Sequence, residues 1–271
     1  MDRTYHRFFA IILTIALALP NLARGQKTLT PSEVATSYQK SFFYPGKDMR
    51  VVVNMRLIES GGKERTRELT MLRLNAESTQ DQKYFIYFHK PADVEGMTFM
   101  VYRYSQKDDD RWLYMPALDL VKRIAANDKR SSFVGSDFTY EDVSGRDLSE
   151  DDFSIVKEEK LSNNDCYLLK SVPKNPKGAE YSYKLSWIDK TTFLPWKEEF
   201  YDVRGELYKV FTAEEVRNIS GFPTITKRKM ENVKNKRQTS VVYSQIEYNV
   251  GLKDDIFTER YLKTPPREYI Q

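Results

Sequence analysis

Seven carboxylates crowd a short stretch near the middle of the chain: Asp137, Glu141, Asp142, Asp147, Glu150, Asp151 and Asp152. Carboxylates at that density could supply the acid and base of glycoside hydrolysis, or hold a calcium ion. Their spacing is not that of an EF-hand loop, and adjacency alone does not make a glycosidase pair. A structural use suits the residue types better, with metal binding and catalysis as the alternatives. Asp137 and Asp142 can accept backbone N–H groups in a tight turn, while Phe133, Phe138 and Tyr140 pin that turn to a sheet. Gly135-Ser136-Asp137 lacks the G-x-S-x-G frame of a nucleophile elbow, and neither a phosphate loop nor a dinucleotide fingerprint occurs. Beyond residue 25 the chain has one histidine, His89, which ends a strand as a rim residue, and one cysteine, Cys166. Neither a Ser-His-Asp set nor a His/Cys zinc site can be assembled from these. No catalytic residue, no metal ligand and no cofactor is expected.

The segments around this block have the period of strands. Residues 49–58 alternate Val51, Val53, Met55 and Leu57 against Val52, Asn54, Arg56 and Ile58, and 66–74 return after the turn Gly61-Gly62-Lys63. Further strands are expected at 84–88, 98–104 and 112–115, and Pro116 stops the last of these. A basic connection containing Lys122, Arg123, Lys129 and Arg130 leads into the block. Beyond it, strands are expected at 153–159, 165–173, 181–188, 196–201, 207–216, 224–230 and 239–248. One helix precedes them all. Thr30 caps it, Pro31 takes its first position and Glu33 completes a capping box; Val34, Tyr38 and Phe42 then form a stripe that runs out near Phe43. The fold class is mainly β (α+β), a meander curling into an unclosed antiparallel barrel or half-barrel of about 11 strands.

The first 25 residues read as a secretory signal peptide: Arg3 and Arg7, an apolar run of 12 residues from Phe8 to Leu19, then Ala23-Arg24-Gly25 at the cleavage site. That run is too short to span a bilayer. Residues 26–271 then form a single domain, exported to the periplasm, with no stable membrane span and no cysteine at the cleavage site to carry a lipid anchor. Cys166 is expected to be a buried small residue, so stability must come from core burial. The net charge of +4 is spread over mixed signs, which argues against a nucleic-acid partner. The run Lys227-Arg228-Lys229 to Lys236-Arg237 reads as a solvated hairpin tip, with a lipid headgroup or a protein partner as its other use.

Several strands are apolar on both faces, so each face must meet something apolar: a core, a covering helix or a hydrophobic ligand. Phe85, Tyr87, Phe99, Val101, Trp112 and Tyr114 are the candidates to line a ligand groove. Ile86, Phe88, Met100 and Leu113 form the opposite set.

Trp112, Tyr114 and Pro116, followed by Gly135, Ser136, Asp137, Phe138, Tyr140, Glu141 and Asp142, carry a resemblance. This W-x-Y-x-P strand end and G-S-D-F-x-Y-E-D block resemble the LolA-like outer membrane lipoprotein-sorting proteins. The closing run Leu252, Asp254, Phe257, Thr258 and Leu262 resembles that family too. The resemblance implies a curved, incomplete barrel with helices over its concave face, and binding of lipid or lipoprotein acyl chains in the groove between them. It also implies an inner-membrane transporter of the resistance-nodulation-division (RND) kind as a partner. The runner-up function is a periplasmic sensor or scaffold that binds a protein segment without transferring lipid.

Overall fold

In the computed structural model, Met1 and residues 28–77, 79–105 and 107–270 are described; apart from Met1, the expected signal peptide lies outside them. Helix α1 spans Pro31–Phe43. Its Thr30 hydroxyl accepts the Glu33 N–H at 3.2 Å, and the Glu33 carboxylate accepts the Thr30 N–H at 2.8 Å. Two of the otherwise unpaired groups at the helix start are thereby satisfied.

Among the described residues, one antiparallel sheet of thirteen strands follows. Five run before the central block: β1 (Asp48–Ile58), β2 (Glu64–Asn75), β3 (Gln82–Lys90), β4 (Thr98–Arg103) and β5 (Asp110–Met115). The connection expected to be merely basic contains a sixth, β6 (Leu120–Ile124), paired to β5. Seven follow the block: β7 (Asp151–Leu161), β8 (Asn164–Pro173), β9 (Tyr183–Asp189), β10 (Pro195–Tyr201), β11 (Leu207–Ile219), β12 (Phe222–Asn232) and β13 (Arg237–Tyr248). Their spatial order is β6-β5-β4-β3-β2-β1-β13-β12-β11-β10-β9-β8-β7. The sheet stays unclosed, with β6 and β7 as its ends.

Side chains from strands as distant as β4 and β10, such as Phe99 and Phe200, belong to one buried core, so the sheet wraps around it. The central block fills this inner face with Phe133, Phe138 and Tyr140. It contains the short helix α2 (Tyr140–Ser144), and it runs from one end strand of the sheet to the other. Helix α1 packs beside it, Val34 and Ala35 against Leu169 and Ile188.

The outer face of β2 to β5 is covered by the chain's end. Helices α3 (Glu259–Lys263) and α4 (Arg267–Ile270) bring Phe257, Leu262 and Ile270 onto Leu72, Phe85 and Met100. The buried Asp48 carboxylate receives this segment, accepting the N–H groups of Val250, Gly251 and Leu252 at 2.7–3.0 Å. Three fixed donors satisfy a carboxylate that burial would otherwise penalise.

The run Lys227-Arg228-Lys229 is not a hairpin tip. It lies within β12, where alternation exposes Lys227 and turns Arg228 inward beside Met230; the turn itself falls at residues 233–236.

Candidate functional site

Ladder pairing assigns each aromatic to a face. Met71 faces Ile86, Ile86 faces Phe99 and Phe99 faces Leu113, which makes one inner row. Leu72, Phe85, Met100 and Trp112 are paired in the same way on the outer face. The six groove candidates therefore do not share a surface. Phe99 and Val101 are inner, with Ile86, Phe88 and Leu113; Phe85, Tyr87, Trp112 and Tyr114 are outer, with Met100 and the C-terminal segment. Alternation fixes parity within a strand, but the connection at 91–97 sets the phase between β3 and β4, and that phase puts Phe85 opposite Met100.

The inner face is closed by rings. Phe133 lies 5.5 Å from Phe99, 6.1 Å from Phe88 and 5.6 Å from Tyr140 between ring centroids. Gly135, at φ +78°, reverses the chain behind Phe133, a conformation that side chains disfavour. Its carbonyl accepts from Arg237 at 3.0 Å. Ser136 is buried and bonds the Phe138 N–H and carbonyl. Asp142 accepts the Thr139 N–H at 2.8 Å, while the Thr139 hydroxyl accepts the Asp142 N–H at 3.1 Å, a capping box at the start of α2. Asp137 differs from the expectation: its carboxylate accepts the Thr239 hydroxyl of β13 at 2.8 Å instead of a turn N–H. Phe138 and Tyr140 are buried against the inner core.

Beyond Phe138 the inner face turns polar. The Lys209 ammonium, 2% exposed, contacts Asp142 at 3.1 Å and Glu180 at 2.7 Å. Lys184 meets Glu198 at 2.7 Å; Glu198 also accepts the hydroxyls of Ser186 at 2.8 Å and, from α1, Tyr38 at 3.4 Å. Arg146 gathers Glu141, Glu150 and Asp151 at 2.7–3.1 Å, and Lys129 adds contacts to Glu141 and Glu150. Burial by itself would lower the Lys184 and Lys209 ammonium groups; the facing carboxylates outweigh it and hold both above their ordinary range. Burial pushes Glu180 up to about 7, against the pull of Lys209 and helped by Asp142. The sequence carried one signal for these charges: Glu198 lies two residues from Phe200, and Lys209 two from Phe211, so each shares the apolar parity of its strand.

The end of α1 is clipped to the sheet. The Phe43 carbonyl accepts from Arg73 and Gln82 at 2.8 Å each, and Asn75 donates to the carbonyls of Tyr44 and Gly46. Under the helix remains a small cavity of about 70 Å³. A polar cleft of about 320 Å³ opens between Arg103, Asp109, Lys129 and Glu150. His89 stays in β3 with Nε2 2.9 Å from the Thr70 hydroxyl, and burial lowers its pKa. Cys166 is buried and free. Among the described residues no cluster of three or more His, Cys, Asp or Glu side chains is arranged to hold a metal.

An outer membrane lipoprotein-sorting protein domain from Vibrio parahaemolyticus is 30% identical over 85% of this chain and 97% of its own, with a TM-score of 0.78. The chain belongs to the LolA-like outer membrane lipoprotein-sorting protein family. A DUF1329 family protein from Desulfovibrio piger is also 30% identical, over 86% of this chain and all of its own, with a TM-score of 0.78. A LolA superfamily protein from Nitrosomonas europaea shares the fold at 22% identity and a TM-score of 0.68, over 86% of this chain and all of its own. A family model described only as "Uncharacterized protein" matches residues 80–264. No curated protein matches the sequence. No helix among the described residues is long and apolar enough to cross a membrane.

Proposed function

We propose that this LolA-like protein is a periplasmic carrier that takes lipid or lipoprotein acyl chains onto the inner face of its sheet. In this role it takes part in outer-membrane lipid or lipoprotein sorting, with an inner-membrane RND-type transporter as a partner. One observation carries the reading: the apolar inner row of Met71, Ile86 and Phe99 is covered by side chains of two segments outside the sheet, α1 and the central block, and not by a second sheet. Their rings occupy the place an acyl chain would take. Each buried CH₂ contributes about 0.8 kcal/mol, so a 16-carbon chain gains roughly 10 kcal/mol before ordering costs. That is enough to compete with a few aromatic side chains at about 1.5–3 kcal/mol each. On this reading Phe99 and Val101 line the groove, while Phe85, Tyr87, Trp112 and Tyr114 anchor the C-terminal segment outside it.

The small empty space under α1 favours a second reading, a periplasmic sensor or scaffold that binds a protein segment and never opens for lipid. Native mass spectrometry with lipid extraction, on protein purified from its own periplasm, separates the two. The carrier should come away with acyl-chain lipid bound. A lipid-free protein that also fails to take up added acyl chains would leave the scaffold.

A further inference from the structure

Among the described residues, five arginines bury an Nε–H that has no acceptor: Arg65, Arg67, Arg73, Arg111 and Arg228. Four of them are otherwise provided for. Arg65 pairs with Glu59 at 3.1 Å, Arg67 with Asp93 at 3.2 Å and Arg111 with Asp109 at 2.5 Å, while Arg73 donates to the carbonyls of Phe43 and Pro45. Arg228 has neither a carboxylate nor a carbonyl. Among the described residues its one hydrogen-bond partner is the Tyr243 hydroxyl.

Its surroundings are apolar. Across the two ladders it faces Ala213 and Val241, and its guanidinium stands over the rings of Phe42, Phe138 and Tyr243 at 5.7, 5.5 and 4.8 Å. Ring faces attract a cation, yet they accept none of the donors of a guanidinium fork. That fork matches a carboxylate or phosphoryl group in two parallel hydrogen bonds. The position is telling as well: Arg228 borders the space under α1, the space beside Tyr248 and the apolar space along Met55, Met71 and Ile86. It is the cation where the charged and apolar parts of the inner face meet.

We propose that Arg228 receives the anionic oxygen head, carboxylate or phosphoryl, of an amphiphile whose chain lies along Met55, Leu69, Met71 and Ile86. The inference rests on the carrier reading and deepens it by naming the ligand class as anionic. Phe42 and Phe138, which now stack on the guanidinium, belong to α1 and the central block, so opening these segments uncovers the head site and the tail site together.

The test titrates delipidated full-length exported protein with palmitate, hexadecanol and inorganic phosphate, using wild type, Arg228→Met and Arg228→Lys. Arg228→Met should weaken palmitate by at least about tenfold, since a hydrogen bond to a charged group is worth about that much. Arg228→Lys should restore part of the loss, hexadecanol should bind all three alike, and phosphate alone should not bind. Empty Arg228→Met should melt no lower than wild type, because it no longer holds an unsatisfied donor in an apolar place. Equal palmitate affinity in wild type and Arg228→Met would overturn the proposal while leaving the carrier intact if hexadecanol binds. A joint fall in melting temperature and in both long-chain affinities would make Arg228 a structural residue. Saturable Arg228-dependent binding of phosphate alone would make the site one for a free anion and refute the amphiphile. Failure of both palmitate and hexadecanol to bind wild type would remove the carrier reading and this proposal with it.

Discussion

The inner face of the sheet has two halves closed in different ways. From β1 to β4 it is Val51, Met71, Ile86 and Phe99 under the rings of Phe133 and Tyr140. From β9 to β11 it is Lys184, Glu198 and Lys209 under Tyr38, Asp142 and Glu180. Apolar contact is non-directional, so a ring can be exchanged for a stretch of acyl chain at little loss. A buried ion pair allows no such exchange, because removing one partner strands the other charge. On the carrier reading, the apolar half trades its cover for a ligand and the charged half returns that cover to one place.

This contrast can be broken most directly at Lys209. Lys209→Ala leaves Asp142 and Glu180 buried without a cation and should cost about 3–5 kcal/mol in urea denaturation. Adding Asp142→Asn and Glu180→Gln should recover much of it, since no stranded charge then remains. Glu180 sharpens the contrast through pH. Its folded pKa, about 7, stands above the ordinary 4.5, so between those values the unfolded chain releases a proton that the folded protein keeps. The contribution of this group is therefore complete below pH about 4.5 and lost as pH rises to about 7. Its size is on the order of 3 kcal/mol, and wild type should show that fall relative to Glu180→Gln in denaturation curves across the window. Thr139→Ala removes one arm of the capping box that brings Asp142 toward Lys209, and should lower stability by about 1 kcal/mol in a thermal melt. The smallest effect belongs to the apolar half. Ile86→Val should cost about 0.5–1.5 kcal/mol in the same urea assay and leave acyl-chain uptake intact. A loss there as large as that of Lys209→Ala would erase the distinction between the halves.

Strands were legible wherever alternation was long, as in 49–58, and the helix start could be read from Thr30, Pro31 and Glu33 because capping is a local event. Strand β6 was not legible. Leu120-Val121-Lys122-Arg123-Ile124 is an end strand with one neighbour, and exposed charge is a common guard of such edges, so its composition imitates a connection. The groove candidates mixed two faces because register is set between strands, by the connection at 91–97, while alternation speaks only within one. Arg228 was hidden in a run of like charges; only the strand's parity with Met230 separates it from its solvated neighbours Lys227 and Lys229.

The central block also joins the sheet's two free edges, leaving β6 at Ile124 and entering β7 at Asp151. Folded down, it is a short crosspiece with most of its length taken up in turns and 3₁₀ segments. Drawn out, the same run of about 26 residues has a contour length of roughly 85 Å at about 3.3 Å per residue. The open side of the sheet is thus spanned by a single tether. On the carrier reading it can lift away from a bulky cargo without unpairing a strand of the sheet, and it remains attached at both edges.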